Sequence, residues 1–280
     1  MKTMQKKRKR GIFRIVFLIF ALIFCYWSNN SIQISEYTYT SDQIPSSFNG
    51  YRIVQISDLH NDVFFRKDSS LLKKIEALSP DCIVLTGDIF DNSYHQNIDD
   101  ALIFTEQVTK LAKTYYVTGN HEDTSKKEIK KRFTDEIQKD GVVYLCSQSA
   151  DLYSENGDSI LLIGIEDKDL QSDKLKKIIT DRNKEEFRIL LAHKPQFLKD
   201  YAEADVDIVF SGHAHGGQFR IPFTHQGLYA PDQGILPQYT EGVFTEGDTS
   251  MYISRGIGNS GFPLRLFNRP EIVCVTLQSQ

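Results

Sequence analysis

Asp58 and His60 stand in the run SDLH, Asp88 in TGDIFD, and Asn120 and His121 in GNHE. His193 follows in AHKP, and His213 and His215 in SGHAHGG. Each run begins where a short apolar stretch ends. Aspartate, asparagine and imidazole without thiolates make a donor set suited to Mn, Fe, Zn or Ni, and less typical of the all-oxygen cages of Mg and Ca. Two such cations about 3.5–4 Å apart clamp the attacking and leaving oxygens of an in-line displacement at phosphorus, and each lowers the pKa of its bound water. A carboxylate, anionic with two oxygens, is the natural bridge between them. A histidine outside the ligand set can stabilise charge or protonate the leaving oxygen.

Singly, these pieces are weak: an Asp-x-His after a strand is commonly a surface turn, and a lone histidine in an apolar stretch is commonly a satisfied core residue. Their conjunction decides. Five of the seven histidines fall in these segments, whereas His95 and His225 do not and read as surface or loop residues. Asp91 and Glu122 are expected to orient ligands or cap a helix, with simple solvation the alternative for either. Glycines 87, 119, 212, 216 and 217 allow tight turns beside the ligands.

The elements that must position this set are short apolar strands at 51–57, 82–86, 115–118, 159–165, 187–192 and 207–211, with a last strand at 271–277. Helical stretches at 69–78, 98–112, 125–139, 172–180 and 195–202 lie between most of them. Nearly continuous apolar strands imply sheets covered on both faces, hence a layered α/β fold. The carboxyl ends of strands in such a fold gather at one edge, so segments about 160 residues apart can form one site. Residues 219–270, rich in Gly, Pro and aromatics, read as long loops with short strands of functional character. No internal repeat or low-complexity tract occurs.

The 280 residues carry a net charge of −4. Seven of the 33 Lys and Arg lie in residues 1–14, so the remainder sets 26 cations against 37 acids, a balance of −11. A body this acidic is a poor partner for nucleic acid, and none is expected. The basic leader 1–10 precedes an apolar span at 11–27, interrupted only by Arg14, which is near the minimum of about 17 residues for a bilayer helix. No convincing small-x-small cleavage site follows. An uncleaved signal anchor is therefore preferred to a cleaved signal peptide, with the cations holding the N-terminus in the cytoplasm and the catalytic domain 50–280 outside. Residues 28–49 read as a tether. The scattered cysteines form no CxxC pair, and Cys82 and Cys274 read as buried strand residues.

Asp58-x-His60, Gly87-Asp88-x-x-Asp91, Gly119-Asn120-His121-Glu122, His193 and Gly212-His213-Ala214-His215 together resemble the signature of the calcineurin-like metallophosphoesterases, over residues 51–277. GHAHGGQFRIPF (212–223), LYAPDQG (228–234), YISRGIGNSG (252–261) and PLRLFNRPEI (263–272) resemble its membrane-associated bacterial YkuE/YaeI-like phosphodiesterase branch. The resemblance implies a four-layer α/β/β/α sandwich, which the apolar span at 11–27 would precede as a single N-terminal transmembrane helix. It implies one divalent metal, manganese among the options, on Asp58, His60 and His215, a second on Asn120, His193 and His213, Asp88 as bridge, and His121 as the catalytic histidine. Asn92 stands where the protein Ser/Thr phosphatases commonly place an arginine, which argues against a phosphoprotein substrate. Arg220, Arg255, Arg265 and Arg269 are the available anion binders in the late loops. The expected activity is hydrolysis of a phosphodiester or pyrophosphate. The anchor invites a lipid-linked envelope substrate. A phosphomonoesterase with the same centre and a non-catalytic metal-binding scaffold are the alternatives.

Overall fold

The computed structural model describes residues 2–61, 70–92, 98–170, 173–180 and 186–280. Fourteen strands are present among them: β1 (Gln33–Ser41), β2 (Arg52–Ile56), β3 (Cys82–Thr86), β4 (Lys113–Val117), β5 (Val143–Tyr144), β6 (Gln148–Tyr153), β7 (Ser159–Ile165), β8 (Arg188–Ala192), β9 (Ile208–Ser211), β10 (Tyr229–Ala230), β11 (Gly234–Ile235), β12 (Gly242–Glu246), β13 (Thr249–Ile253) and β14 (Glu271–Ser279). The helices are α1 (Lys2–Asn30), α2 (Ser70–Ala77), α3 (Asp99–Thr109), α4 (Asn120–Thr124), α5 (Lys127–Lys139), α6 (Lys174–Thr180) and α7 (Leu198–Glu203).

Two six-stranded sheets form the body, ordered β1-β14-β2-β3-β4-β5 and β12-β13-β9-β8-β7-β6. Strands β2 to β5 run parallel, as do β7, β8, β9 and β13. The alternation of each strand sorts its side chains into layers. Ile53, Val84 and Tyr115 of the first sheet meet Leu162, Ile189 and Phe210 of the second in the inner core. Their neighbours Val54, Ile83 and Tyr116 turn outward onto α2, α3 and α5, and Ile163, Leu190 and Val209 onto α6 and α7. The expected four-layer α/β/β/α sandwich results. Helix α5 shows the periodicity plainly: Ile129, Phe133 and Ile137 recur every fourth residue, and the Phe133 ring lies 5.0 Å from Phe90 and 5.7 Å from Tyr116.

Two expectations change. The supposed tether 28–49 contains β1, which pairs with β14 in parallel register over nine residues, from Gln33–Glu271 to Ser41–Ser279. Its sequence, QISEYTYTS, is polar enough to pass for a linker. As an edge strand it needs only one apolar face, and Tyr37 and Tyr39 supply it against the inner core. The helix expected at 195–202 begins as a 3-10 turn at Pro195–Phe197 before α7. His95 lies outside the described residues.

Helix α1 is long and apolar enough to cross a bilayer. Its segment Lys9–Asn30 has a mean hydropathy of 2.1, and only 6% of the apolar window is buried against the protein. Its 22 residues span about 33 Å at 1.5 Å per residue, close to the thickness of a bilayer's hydrocarbon core.

Candidate metal centre

Every candidate residue leaves the carboxyl end of a strand. Asp58 and His60 follow β2, Asp88 follows β3, and Asn120 and His121 open α4 directly after β4. His193 follows β8, and His213 and His215 follow β9. The first five belong to one sheet and the last three to the other, so the site straddles the seam where the two sheet edges meet. Close approach of these loops depends on glycine. Gly87 holds φ +89°, and a Cβ there would lie 2.5 Å from the Gly119 nitrogen. Non-glycine residues are forced into the same left-handed region: Asp58, Asp88, His60, His213 and His215 have φ of 51°, 52°, 48°, 67° and 47°. Such backbone costs of order 1 kcal/mol or more per residue and tends to cluster at functional sites.

Two clusters form. His60 Nε2 lies 3.1 Å from His215 Nε2, which lies 3.3 Å from Asp58 Oδ1. His193 Nε2 lies 3.2 Å from both His213 Nδ1 and Asp88 Oδ2. The same Asp88 oxygen is 3.9 Å from His60 Nε2, so one carboxylate faces both clusters. The Asp58 carboxylate also accepts the His213 N–H at 3.0 Å, tying the first cluster to the second.

Hydrogen bonds on the far side of the rings orient the lone pairs. His193 Nδ1 is 2.7 Å from the Thr86 carbonyl oxygen, to which it can only donate, so its Nε2 lone pair faces inward. His213 Nε2 donates to Asp232 Oδ2 at 3.1 Å, which turns its Nδ1 lone pair inward as well. Two lone pairs and a carboxylate then face one another, an arrangement that repels unless a cation or proton sits between them. Burial alone would lower His193, but the Asp88 carboxylate overrides it and raises the imidazole well above its ordinary value. Burial holds His60 down at about 4 and His213 at about 3, so both are neutral imidazoles ready to coordinate. Asn120 Oδ1 is buried and has no hydrogen-bond partner among the described residues, which suits a ligand to a cation. Asp58, His60 and His215 on one side, and Asp88, His193 and His213 on the other, form groups with metal-ligating spacing, and His60, Asp88 and His121 form a third between them. The donor set fits divalent metal.

His121 stands at the mouth. Its side chain is 18% exposed, and its Nε2 is 4.0 Å from Asp88 Oδ2. Its Nδ1 lies 3.2 Å from Asp91 Oδ1, placing Asp91 to orient the ring. Glu122, fully buried, accepts backbone N–H groups of Asp88 at 2.9 Å, Ile89 at 2.6 Å and Gly119 at 2.8 Å. It thus clamps the loop after β3 to the loop after β4. His225 is exposed and pairs with Glu241 at 2.9 Å, away from the centre.

Asp232 went unnoticed in the sequence. It lies in the LYAPDQG run (228–234), which carries the branch resemblance but assigns Asp232 no role. It bonds His213 and also Lys194, the latter at 2.9 Å. Asp232→Asn is expected to weaken metal binding about 10–100-fold by loosening the His213 tautomer, as measured by competitive chelation. Unchanged affinity would leave Asp232 a surface residue.

The four late-loop arginines do not face the centre as free anion binders. Arg220 is paired with Glu241, and Arg255 with Glu271 at 3.1 Å. Arg265 is fully buried, donates to the Arg255 carbonyl at 2.8 Å, and sits 3.4 Å from His215 Nδ1 behind the ligand ring. Arg269 donates to the Ser31 carbonyl at 2.8 Å. Self-pairing wins because a buried guanidinium must find acceptors within the protein.

Fold and site together define a metal-dependent phosphoesterase. The chain belongs to the calcineurin-like phosphoesterase family, whose pattern it matches over residues 51–217. It is similar to the metallophosphoesterase YkuE of Bacillus subtilis, with 30% identity over 91% of this chain and 88% of that one. It is 28% identical to the metallophosphoesterase Cj0846 of Campylobacter jejuni, over 97% of this chain and 71% of that one. A zebrafish relative (Danio rerio), called a transmembrane protein with metallophosphoesterase domain, is 26% identical over 96% of this chain and 64% of its own.

Proposed function

We propose that this chain hydrolyses a phosphodiester or pyrophosphate at a dinuclear centre, anchored in the cell membrane by residues 11–27 with the catalytic domain on the extracytoplasmic side. The supporting observation is Asp88, whose single carboxylate faces both histidine clusters. Asp58, His60 and His215 would hold one divalent cation (Mn, Fe, Zn or Ni), Asn120, His193 and His213 the second, and Asp88 would bridge. The bound pair supplies Lewis acidity at phosphorus and a hydroxide near neutral pH. His121, held by Asp91 and open to solvent, donates a proton or hydrogen bond to the leaving oxygen. A lipid-linked phosphoester suits an enzyme tethered beside the bilayer.

The test is the full chain in detergent, stripped with chelator and reloaded with each metal, then assayed on matched phosphodiester, pyrophosphate and monoester substrates. A cut near Gln43 would remove β1, so the anchor is retained. Preference for the monoester would redirect the assignment to a phosphomonoesterase. Inactivity on all three after full loading would favour a scaffold. His121→Asn is expected to lower kcat about 10²–10⁴-fold while metal content stays at the wild-type level. Loss of metal in this variant would instead make His121 a ligand.

A further inference from the structure

A cleft of about 470 Å³ lies between the end of α1 and the late loops, lined by Phe24, Trp27, Ile221, Phe223, Phe267 and Arg269 among others. Its rim is costly in water. Phe223 is fully exposed at φ 67°, and Phe267 is 51% exposed at φ 56°, so two strained turns point phenyl rings outward. We infer that this rim and the end of α1 form one surface seated in the bilayer interface, with Arg269 meeting a phospholipid phosphate. The inference rests on the proposed span. The register of α1 sets the depth. Tyr26 and Trp27 close the apolar run, where aromatic residues mark the membrane–water boundary. The Phe267 ring lies 4.9 Å from Phe24, three residues or about 4.5 Å toward the apolar side of that belt. The Arg269 guanidinium stacks 4.8 Å over the Trp27 ring, at the level of the headgroups. Its hydrogen bonds go to Ser31 and the Ile32 carbonyl, and among the described residues no carboxylate pairs with it. The same loop serves the centre, because Asn268 bonds the His215 carbonyl at 2.7 Å, so the bilayer contact and the metal site share a rigid segment.

Trp27 is the sole tryptophan, which allows a depth measurement. In the full chain carrying Trp27→Phe, single reporters are introduced as Phe13→Trp in the span, Phe223→Trp and Phe267→Trp on the rim, and Tyr153→Trp on β6. The protein is placed in nanodiscs of phosphatidylglycerol brominated near the headgroup end of its acyl chains. Roughly twofold quenching is expected at 223 and 267, with none at 153, as for groups at the interface. Quenching at 13 with 223 and 267 behaving like 153 overturns the interfacial surface while leaving the span intact. An unquenched reporter at 13 removes the span and the inference with it. Rim reporters shielded from both bromine and aqueous acrylamide would assign the surface to a protein partner and overturn the lipid assignment.

Discussion

Asp88→Asn is expected to reduce metal-dependent phosphodiester hydrolysis about a thousandfold, which at 1.36 kcal/mol per decade corresponds to about 4 kcal/mol of transition-state stabilisation. The fold should survive, for a local reason. The asparagine carbonyl can still accept the His121 N–H that Asp88 Oδ1 accepts at 2.9 Å. Its amide would replace Oδ2 and donate to the inward lone pair of His193, now 3.2 Å away. A buried ion pair with the raised His193 imidazole becomes a neutral hydrogen bond, so the metal-free variant should melt somewhat below the wild-type temperature while staying folded. What disappears is the gain in melting temperature on adding metal, since binding to the native state alone stabilises by mass action. Activity, metal content and thermal melts on the same preparation check this. Full activity with a full metal complement would sink the bridging role of Asp88.

Glu122→Ala is expected to cost about 3–5 kcal/mol of stability, since several buried backbone N–H groups are orphaned at about 1–3 kcal/mol each. That corresponds to roughly 10 °C in melting temperature for a chain of this size. Backbone N–H groups of Asp88, Ile89 and Gly119 lose their acceptor in a fully buried position. Metal affinity should fall with it, because the Asp88 loop is no longer held against the turn that presents Asn120. The pH dependence has a definite sign. Burial and then the Asp88 charge push the Glu122 carboxyl from 4.5 up to about 7, against the pull of the Gly119 N–H. Between those values the native state binds a proton that the unfolded chain does not, so this group's contribution to the stability of metal-free protein declines as pH rises from 4.5 to about 7. The alanine variant should lose that slope in a pH series of melts. An unaltered slope would place the proton elsewhere.

Much of the site was legible because its donors are chemically unusual where they stand. Asp88 after the apolar run CIVLT, or His213-Ala-His215 after DIVFS, has no packing reason to be there. The strands that carry them are nearly all apolar, which declares both their extent and their burial. Helix α4 was not legible, since five residues are too few to show a helical period, and its role is to aim Asn120 and His121. Strand β1 was hidden for the opposite reason: an edge strand with one wet face is built from Ser, Thr and Tyr, as a linker is. Arg220 and Arg255 misled because a sequence shows charge without showing its partner. Glu241 and Glu271, 21 and 16 residues from Arg220 and Arg255, claimed them in the fold.

By itself the sequence determined the donor types, their order, the layered α/β class and the apolar span, because these follow from side-chain chemistry and short-range periodicity. Only the tertiary structure decided which donors come within reach of one another. Ligands on two separate sheets meet through the packing of the inner core, and no local pattern encodes the distance across it. The tautomers of His193 and His213 were likewise settled by Thr86 and Asp232, partners 107 and 19 residues away. A lone pair is aimed by whatever holds the other side of the ring, and that is a property of the folded chain.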